Sequence, residues 1–199
     1  MRPCLSRFLP LVMLFVPVIA AAQLPVPIAI EGRIGWAVPQ GEFADGADGF
    51  SAGGGPSVAI GARVDPIPLL GIVAGYQQTW FDCGTCAAVA LDDAVVLKAY
   101  EAGLNLSIPI PGSDLSPWLR GAVTQQTLGF TGSGQTFTSE VALGFAASGG
   151  VVIPLAGRLQ ISPGIRYQSG PAEFEFSTLP DREIDVSAFA ADITLAFRL

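Results

Sequence analysis

The sequence predicts an all-β fold, an eight-stranded antiparallel up-and-down transmembrane β-barrel preceded by a cleaved signal peptide. Three observations lead to this fold class. The chain begins like a secreted protein, and half of its 199 residues are hydrophobic whereas only 14% are charged. Beyond the leader, no apolar stretch reaches the length of about 20 residues that a spanning helix needs. The other segments alternate between apolar and polar residues, as strands with two different faces do.

The first 22 residues have the three parts of a signal peptide. A basic start is followed by an almost entirely apolar run over residues 8–20 and by the small-residue cleavage site Ala20-Ala21-Ala22. The alternative is a transmembrane anchor, but the run contains Pro10 and Pro17 and falls short of the roughly 20 residues required. We therefore expect a signal peptide over residues 1–22 and one outer-membrane β-barrel domain over residues 23–199.

The charge balance and the missing histidine exclude several functions. Without Arg2 and Arg7, the mature chain has 8 basic and 17 acidic residues, a net charge near −9. This argues against a nucleic-acid partner, because such binding needs clustered Lys and Arg. The chain contains no His, which removes Ser-His-Asp catalysis, His-ligated zinc and histidine acid–base chemistry. We expect no metal and no cofactor.

Four strands are predicted in the first half of the mature chain, over residues 28–38, 57–64, 69–81 and 95–108. In the first, Ile30, Ile34, Trp36 and Val38 share one face. The corresponding apolar faces of the next three carry Val58, Ile60 and Val64, then Ile72, Ala74, Tyr76 and Trp80, then Val96, Tyr100, Leu104, Leu106 and Ile108. The opposite faces combine small residues with isolated charges, which is typical of a strand with one apolar side.

Four more strands are predicted over residues 118–128, 140–151, 158–167 and 186–199. In chain order, the apolar faces of these four strands carry Leu119 and Val123; Val141, Leu143 and Phe145; Leu159, Ile161, Ile165 and Tyr167; and Phe189, Ile193, Leu195 and Phe197. Charges again occupy the other parity. No helix is predicted in the mature chain.

The predicted connections alternate in length. Short turns rich in Pro and Gly cover residues 65–68, 109–114 and 154–157, and longer loops cover 39–56, 82–94, 129–137 and 170–185. Outer-membrane barrels have this arrangement, with the short turns on the periplasmic side.

A soluble barrel with the same alternation turned inside out is the competing fold. Two features favour the membrane. The polar faces consist mostly of Gly, Ala, Ser and Thr, which suit the lining of a narrow barrel better than a surface in water. In addition, Trp36, Tyr76, Trp80 and Tyr167 lie on the apolar parity near the loop ends of their strands, where an aromatic girdle would lie.

Eight charged residues on the polar faces form a predicted lumen charge network: Glu31, Arg33, Arg63, Glu101, Arg120, Glu140, Arg166 and Asp192. Toward lipid, an Arg at mid-membrane would cost about 2–4 kcal/mol, whereas toward the lumen it finds a partner. Eight strands leave just enough interior for side chains to fill. We interpret the set as a balanced plug, neither a pore nor an active site. The hairpin register places Arg120 opposite Asn105, so its acidic partner depends on the barrel stagger.

Two further signals lie in the loops. Cys83 and Cys86 form the only C-x-x-C motif; a loop disulfide is favoured over a redox or metal site, because no helix follows and no His is available. The acidic loop residues are Glu42, Asp45, Asp48, Asp82, Asp92, Asp93, Glu173, Glu175, Asp181, Glu183 and Asp185. We interpret them as a solvated acidic rim, with divalent cations bridging it to lipopolysaccharide, rather than as a calcium loop around Asp45 and Asp48.

The leader, the eight strands, the segment from Ser116 to Ala122 and the alternating last strand resemble the small outer-membrane barrels of the OmpA, OmpX and OmpW kind. The resemblance implies an outer-membrane location, contact with outer-membrane lipid and lipopolysaccharide, a monomer, and recognition of the C-terminal strand by the barrel-assembly machinery. Such families end in an aromatic residue, whereas this chain ends in Phe197-Arg198-Leu199.

Three functions follow from these features. The first is a non-enzymatic barrel with a closed, charge-plugged lumen, acidic surface loops and a structural or surface-interaction role. The second is an OmpW-like conduit for small hydrophobic molecules, which requires an apolar route through the lumen and a lateral opening. The third is an enzyme acting by carboxylate chemistry, with Glu101, Glu140 and Asp192 as candidates; charge networks are more often structural.

Overall fold

A computed structural model describes residues 26–45, 50–86, 95–132, 135–174 and 182–199. The predicted signal peptide lies outside these residues. Within the described ranges, no helix is long and apolar enough to cross a membrane.

The described elements are eleven strands and one short helix. They are β1 (Ile28–Gln40), α1 (Glu42–Asp45), β2 (Phe50–Ala52), β3 (Gly55–Ile67), β4 (Leu70–Phe81), β5 (Cys83–Cys86), β6 (Val95–Ser107), β7 (Ser116–Gly132), β8 (Gln135–Thr138), β9 (Ala142–Pro154), β10 (Leu159–Phe174) and β11 (Arg182–Arg198). Eight of the strands form the barrel wall, and β2, β5 and β8 are short additions at the end with the longer connections, here called the loop end.

The barrel is antiparallel and closed. Each wall strand pairs with its neighbours in the chain, and β1 pairs with β11 to complete the ring. Following register partners once around the wall from Leu97 leads back to β6 at Ser107, ten residues further along. This stagger accompanies the strand tilt that closure of a barrel requires.

The two faces of the wall have the orientation that the alternation predicts. Apolar side chains point outward and are largely exposed, including Ile34 at 64%, Leu143 at 70% and Ile165 at 67%. The interior holds small residues together with buried polar and charged side chains such as Arg33 and Arg166. The predicted fold class, an all-β barrel of eight antiparallel strands, is confirmed.

The structure extends the wall beyond the predicted strands at the loop end. β7 continues to Gly132, β10 continues to Phe174, and β11 begins at Arg182. Helix α1 and strands β2, β5 and β8 were not expected from the sequence. Toward the end of β10 the pattern reverses, with Ala172 and Phe174 buried inside and Glu173 exposed, so the apolar-outward alternation on which the prediction rests stops before the strand does.

An apolar cluster fills the interior at the loop end, and we call it the apolar cap. Its members are Ala37, Phe43, Ala52, Phe81, Val95, Leu97, Leu128, Ala172, Phe174, Val186, Ala188 and Ala190. Phe43 comes from α1 and contacts Phe81 edge to face, with the ring centroids 5.1 Å apart. The loop between β1 and β2 thus contributes a side chain to the barrel interior.

Candidate functional site

The polar interior of the barrel holds four arginines and four acids in one network of ion pairs. The arginines are Arg33, Arg63, Arg120 and Arg166, and the acids are Glu31, Asp65, Glu101 and Asp192. Apart from Asp65, whose side chain is 20% exposed, each of these side chains is at most 8% exposed. Charges removed from water in this way require close partners, because desolvation is otherwise too costly.

Glu31 links two arginines from different parts of the wall. One carboxylate oxygen accepts from Arg63 Nη1 at 2.8 Å, and the other accepts from Arg120 Nη2 at 2.7 Å. Arg63 lies on the neighbouring strand β3, whereas Arg120 lies on β7, four strands away in either direction around the ring. The Glu31–Arg120 pair therefore crosses the lumen from one wall to the opposite wall.

A second group of ions lies around Arg33. Its guanidinium is 3.3 Å from a Glu101 carboxylate oxygen and 3.8 Å from one of Asp192. Asp192 also accepts from Arg166 Nε at 2.9 Å. Arg120 Nη1 lies 3.9 Å from Glu101, so the two groups of ions are continuous.

Glutamines separate the ions from the apolar cap. Gln77 accepts from Arg33 at 3.0 Å and from Arg166 at 2.7 Å, and its amide group donates to Gln168. Gln168 in turn donates to Gln126 at 3.1 Å. Because β4 and β10 are opposite in the ring, the contacts of Gln77 with Arg166 and Gln168 also cross the lumen.

The structure brings together seven of the eight residues predicted for the lumen network: Glu31, Arg33, Arg63, Glu101, Arg120, Arg166 and Asp192. Placement of Glu140 in the lumen was wrong. Glu140 is exposed and precedes β9, and its backbone N–H donates to the Glu173 carbonyl at 2.8 Å. At this height the interior is filled by the apolar cap, so water offers the carboxylate the better environment.

Asp65 lies just beyond the predicted end of the second strand at Val64, so the predicted network lacks it. The Pro residues after Asp65 indicated a turn, but β3 continues to Ile67. Asp65 shares its parity with Arg63, and its carboxylate lies 3.0 Å from Arg63 Nε. Extending the alternation by one residue pair would have found it.

Trp118 lies under the ion network at the end of the barrel with the short turns. Its ring is 8% exposed and faces Arg120, whose guanidinium carbon is 5.4 Å from the ring centroid. A cavity of about 10 Å³ lies between Trp118, Arg33 and Asp192. Within the described part of the chain, Trp118 Nε1, Arg33 Nε and Asp192 Oδ1 are buried without a hydrogen-bond partner.

The carboxylates are not arranged as a catalytic set. Glu101 and Asp192 are both engaged by arginines, and Glu140, the third candidate, is exposed outside the network. The side chains of Cys83 and Cys86, for which a disulfide is predicted, lie outside the described part of the structure. The side chains of Asp45 and Asp48 lie outside it as well. Among the acidic rim residues that are described, Glu42, Asp82, Glu173 and Asp185 are exposed.

Solved barrels of outer-membrane proteins share this architecture. Neisserial surface protein A aligns with a TM-score of 0.65 and 14% identity, over 86% of this chain and 97% of the other. The outer membrane protein OprG from Pseudomonas aeruginosa gives 0.56 and 15%, over 87% and 96%. Ail, the attachment invasion locus protein of Yersinia pestis, gives 0.53 and 11%, over 88% and 100%. The fold is that of small outer-membrane β-barrels.

The similarity is one of fold, because these identities are low. No family model and no curated protein sequence matches the chain. The resemblance to small outer-membrane barrels inferred from the sequence is confirmed at the level of the fold. We predict an outer-membrane location from the sequence, and barrels with this architecture, such as OprG, are outer-membrane proteins.

Proposed function

We propose that this protein is a non-enzymatic outer-membrane barrel with a lumen closed by its charge network, and that it has a structural or surface-interaction role. One observation carries the proposal: side chains from opposite walls meet inside the barrel. Arg120 reaches Glu31 at 2.7 Å, and Arg166 reaches Gln77 at 2.7 Å. Contacts of this length across an eight-stranded barrel leave little room for a continuous aqueous path.

The outer face of the wall supports placement in a membrane. Most of its exposed side chains are apolar. Aromatic rings toward the loop end contact one another, with the ring centroid of Tyr167 4.8 Å from that of Phe189 and 5.9 Å from that of Phe145. Bands of aromatic residues of this kind are typical of the membrane interface. The exposed acids at the loop end are then the part of the molecule that meets the cell exterior.

The proposed partners follow from that placement. Outer-membrane lipid covers the apolar wall, and lipopolysaccharide meets the acidic rim through divalent cations. The C-terminal strand β11 is the segment offered to the barrel-assembly machinery, and pairing of β11 with β1 completes the barrel. Because the ring is closed without another chain, we propose a monomer.

Planar-bilayer recording tests the closed lumen. The purified protein, inserted into a bilayer, should give no steady, large single-channel conductance. Heat-modifiable migration on a gel, measured on the same preparation, establishes that the barrel is folded. A steady conductance from heat-modifiable protein would refute the proposal.

The apolar cap favours a second candidate function, a conduit for small hydrophobic molecules. Phe43, Phe81 and Leu128 line the outer part of the lumen and are fully buried. If these side chains moved apart, a hydrophobic compound could bind among them. The ion network lies between the apolar cap and the short-turn end, so the compound would have to leave the lumen laterally, through the barrel wall. Uptake of a hydrophobic compound into cells with and without the protein discriminates between the two functions, because a closed structural barrel makes no difference to uptake.

A further inference from the structure

A small polar patch interrupts the apolar outer wall near the loop end. It consists of Gln78 on β4, Lys98 on β6, and Gln125 and Thr127 on β7, and we call it the lysine patch. Lys98 pairs in register with Gln78 on one side and with Thr127 on the other. Lys98 and Gln125 are exposed, and the other two are partly exposed.

Several other strands carry apolar side chains on the outer face toward the loop end. Val38, Leu143 and Phe189 are exposed there on β1, β9 and β11, at 47%, 70% and 50%. The lysine patch therefore marks one side of the barrel. Toward the short-turn end it is bordered by Tyr76 and Tyr100, whose ring centroids are 5.1 Å apart.

The charge of Lys98 needs a partner. Lys98 is the only lysine of the chain, and among the described residues it makes no ion pair or side-chain hydrogen bond. All three neighbouring patch side chains are uncharged. A lysine on the lipid face of a barrel is strongly destabilising at mid-membrane and nearly neutral at the interface. Lys98 is therefore suited to the headgroup level, where anions are available.

We propose that the lysine patch binds a phosphate group of an outer-leaflet lipid. The Lys98 ammonium would supply the charge, while the amide groups of Gln78 and Gln125 and the Thr127 hydroxyl would donate to phosphate oxygens. The Tyr76 hydroxyl donates to Gln78 Oε1 at 3.3 Å, which leaves the Gln78 amide N–H groups for a ligand. The tyrosine rings below offer an apolar and aromatic surface to the lipid. This inference rests on the proposed membrane placement and gives the lipid partner a defined site.

Lipid retention measured by native mass spectrometry tests the site. The full chain, Lys98→Gln, Lys98→Arg and the control Arg198→Gln would each be released from detergent micelles containing diphosphorylated lipid A, or the same lipid without phosphates. Arg198 is exposed at the opposite end of the wall. Lys98→Gln should retain about five-fold less phosphorylated lipid, the factor that corresponds to about 1 kcal/mol per surface cation. Lys98→Arg and Arg198→Gln should match the natural chain.

Three results would overturn the inference. The first is equal retention by Lys98→Gln, and the second is an equal loss for both lipids. The third is competition by inorganic phosphate at matched concentration, which would assign the patch to a free anion. Failure of the proposed function has a separate signature, because a chain outside the membrane would retain neither lipid and would migrate on a gel without heat modifiability.

Discussion

Single residues in the lumen depend on partners supplied by distant strands. Glu31 has an arginine from β3 on one oxygen and an arginine from β7 on the other. Removing one member leaves its partner charged and away from water. Removing one partner of a buried ion pair is strongly destabilising, because the desolvation penalty of the remaining charge is no longer offset. Replacing both partners by apolar residues of similar volume changes stability much less.

Arg120→Leu is expected to lower the free energy of unfolding by about 3–5 kcal/mol, because it leaves one oxygen of Glu31 unpaired in the interior. Urea titration of the protein in lipid vesicles, followed by heat-modifiable migration, measures the change. Arg198→Leu removes an exposed arginine from the short-turn end and should change stability little. Equal stability of the two variants would count against a buried Glu31–Arg120 pair.

Trp118 supports a second prediction at this scale. Trp118, Arg33 and Asp192 line the same cavity of about 10 Å³, and each has a buried polar atom without a hydrogen-bond partner among the described residues: the indole Nε1, Arg33 Nε and Asp192 Oδ1. That volume holds about one water, and a buried water typically makes about three hydrogen bonds. A water accepting from Trp118 and Arg33 and donating to Asp192 would satisfy all three groups.

We therefore expect an ordered water at this position in a crystal structure that resolves internal waters. In solution, the Trp118 indole proton should show a magnetisation-transfer signal to a long-lived water, and Trp118→Phe should lower stability by about 1 kcal/mol. Direct bonding between the three groups, with no density between them, would contradict this expectation.

The sequence predicts individual lumen residues well where alternation is regular and poorly at strand ends. Asn105 lies opposite Arg120 as the hairpin register predicts, but the acid that Arg120 meets, Glu31, lies on the opposite wall. That pairing depends on the ten-residue stagger of the closed ring, which no local pattern encodes. The predictions for Asp65 and Glu140 are wrong for a related reason, because each residue lies where a strand starts or ends.

At the scale of elements, the strands are defined by membrane burial on one face and tight packing on the other. All eight wall strands and their facing are predictable because lipid selects apolar residues at every second position. The cap is not, because α1 contains only Glu42-Phe43-Ala44-Asp45 and has no periodicity to detect. Phe43 is placed by the packing of α1 against β1, β2 and β11, which are tertiary contacts.

Strand β1 illustrates how small residues admit the charges. Gly35 pairs in register with Asp192, and a Cβ built on Gly35 would overlap Asp192 Oδ1 and the Ala191 carbonyl oxygen. Gly32, on the outward face of the same strand, has nothing within 4 Å of such an atom. Inward glycine therefore provides the space in which an aspartate reaches its arginines.

Gly35→Ala should lower the free energy of unfolding by about 1–3 kcal/mol, the usual cost of overpacking a filled interior. Gly32→Ala is the matched control and should be neutral or stabilise by about 0.4–1 kcal/mol through reduced flexibility of the unfolded chain. Urea unfolding of both variants in vesicles gives the comparison. Similar stabilities would mean that Asp192 has room to move away.

At the scale of the whole molecule, the lumen contains two layers in series. The apolar cap occupies the loop end, and the ion network with its glutamines occupies the region below it. The layers have different physical origins, since the cap is held by burial of apolar area and the network by paired charges. Loss of one layer should therefore leave the other in place.

Phe43→Ser is expected to open the cap without opening the barrel. The side chain is fully buried against Phe81, and its removal should cost about 3 kcal/mol of cap packing. Ion current in a planar bilayer should nevertheless stay absent, because Arg120–Glu31 and Arg166–Gln77 still span the lumen. Phe189→Ser makes the same change on the lipid-facing wall and provides the control for folding and insertion. Current through Phe43→Ser but not through Phe189→Ser would locate the seal in the cap alone and would leave the charges with a purely structural role.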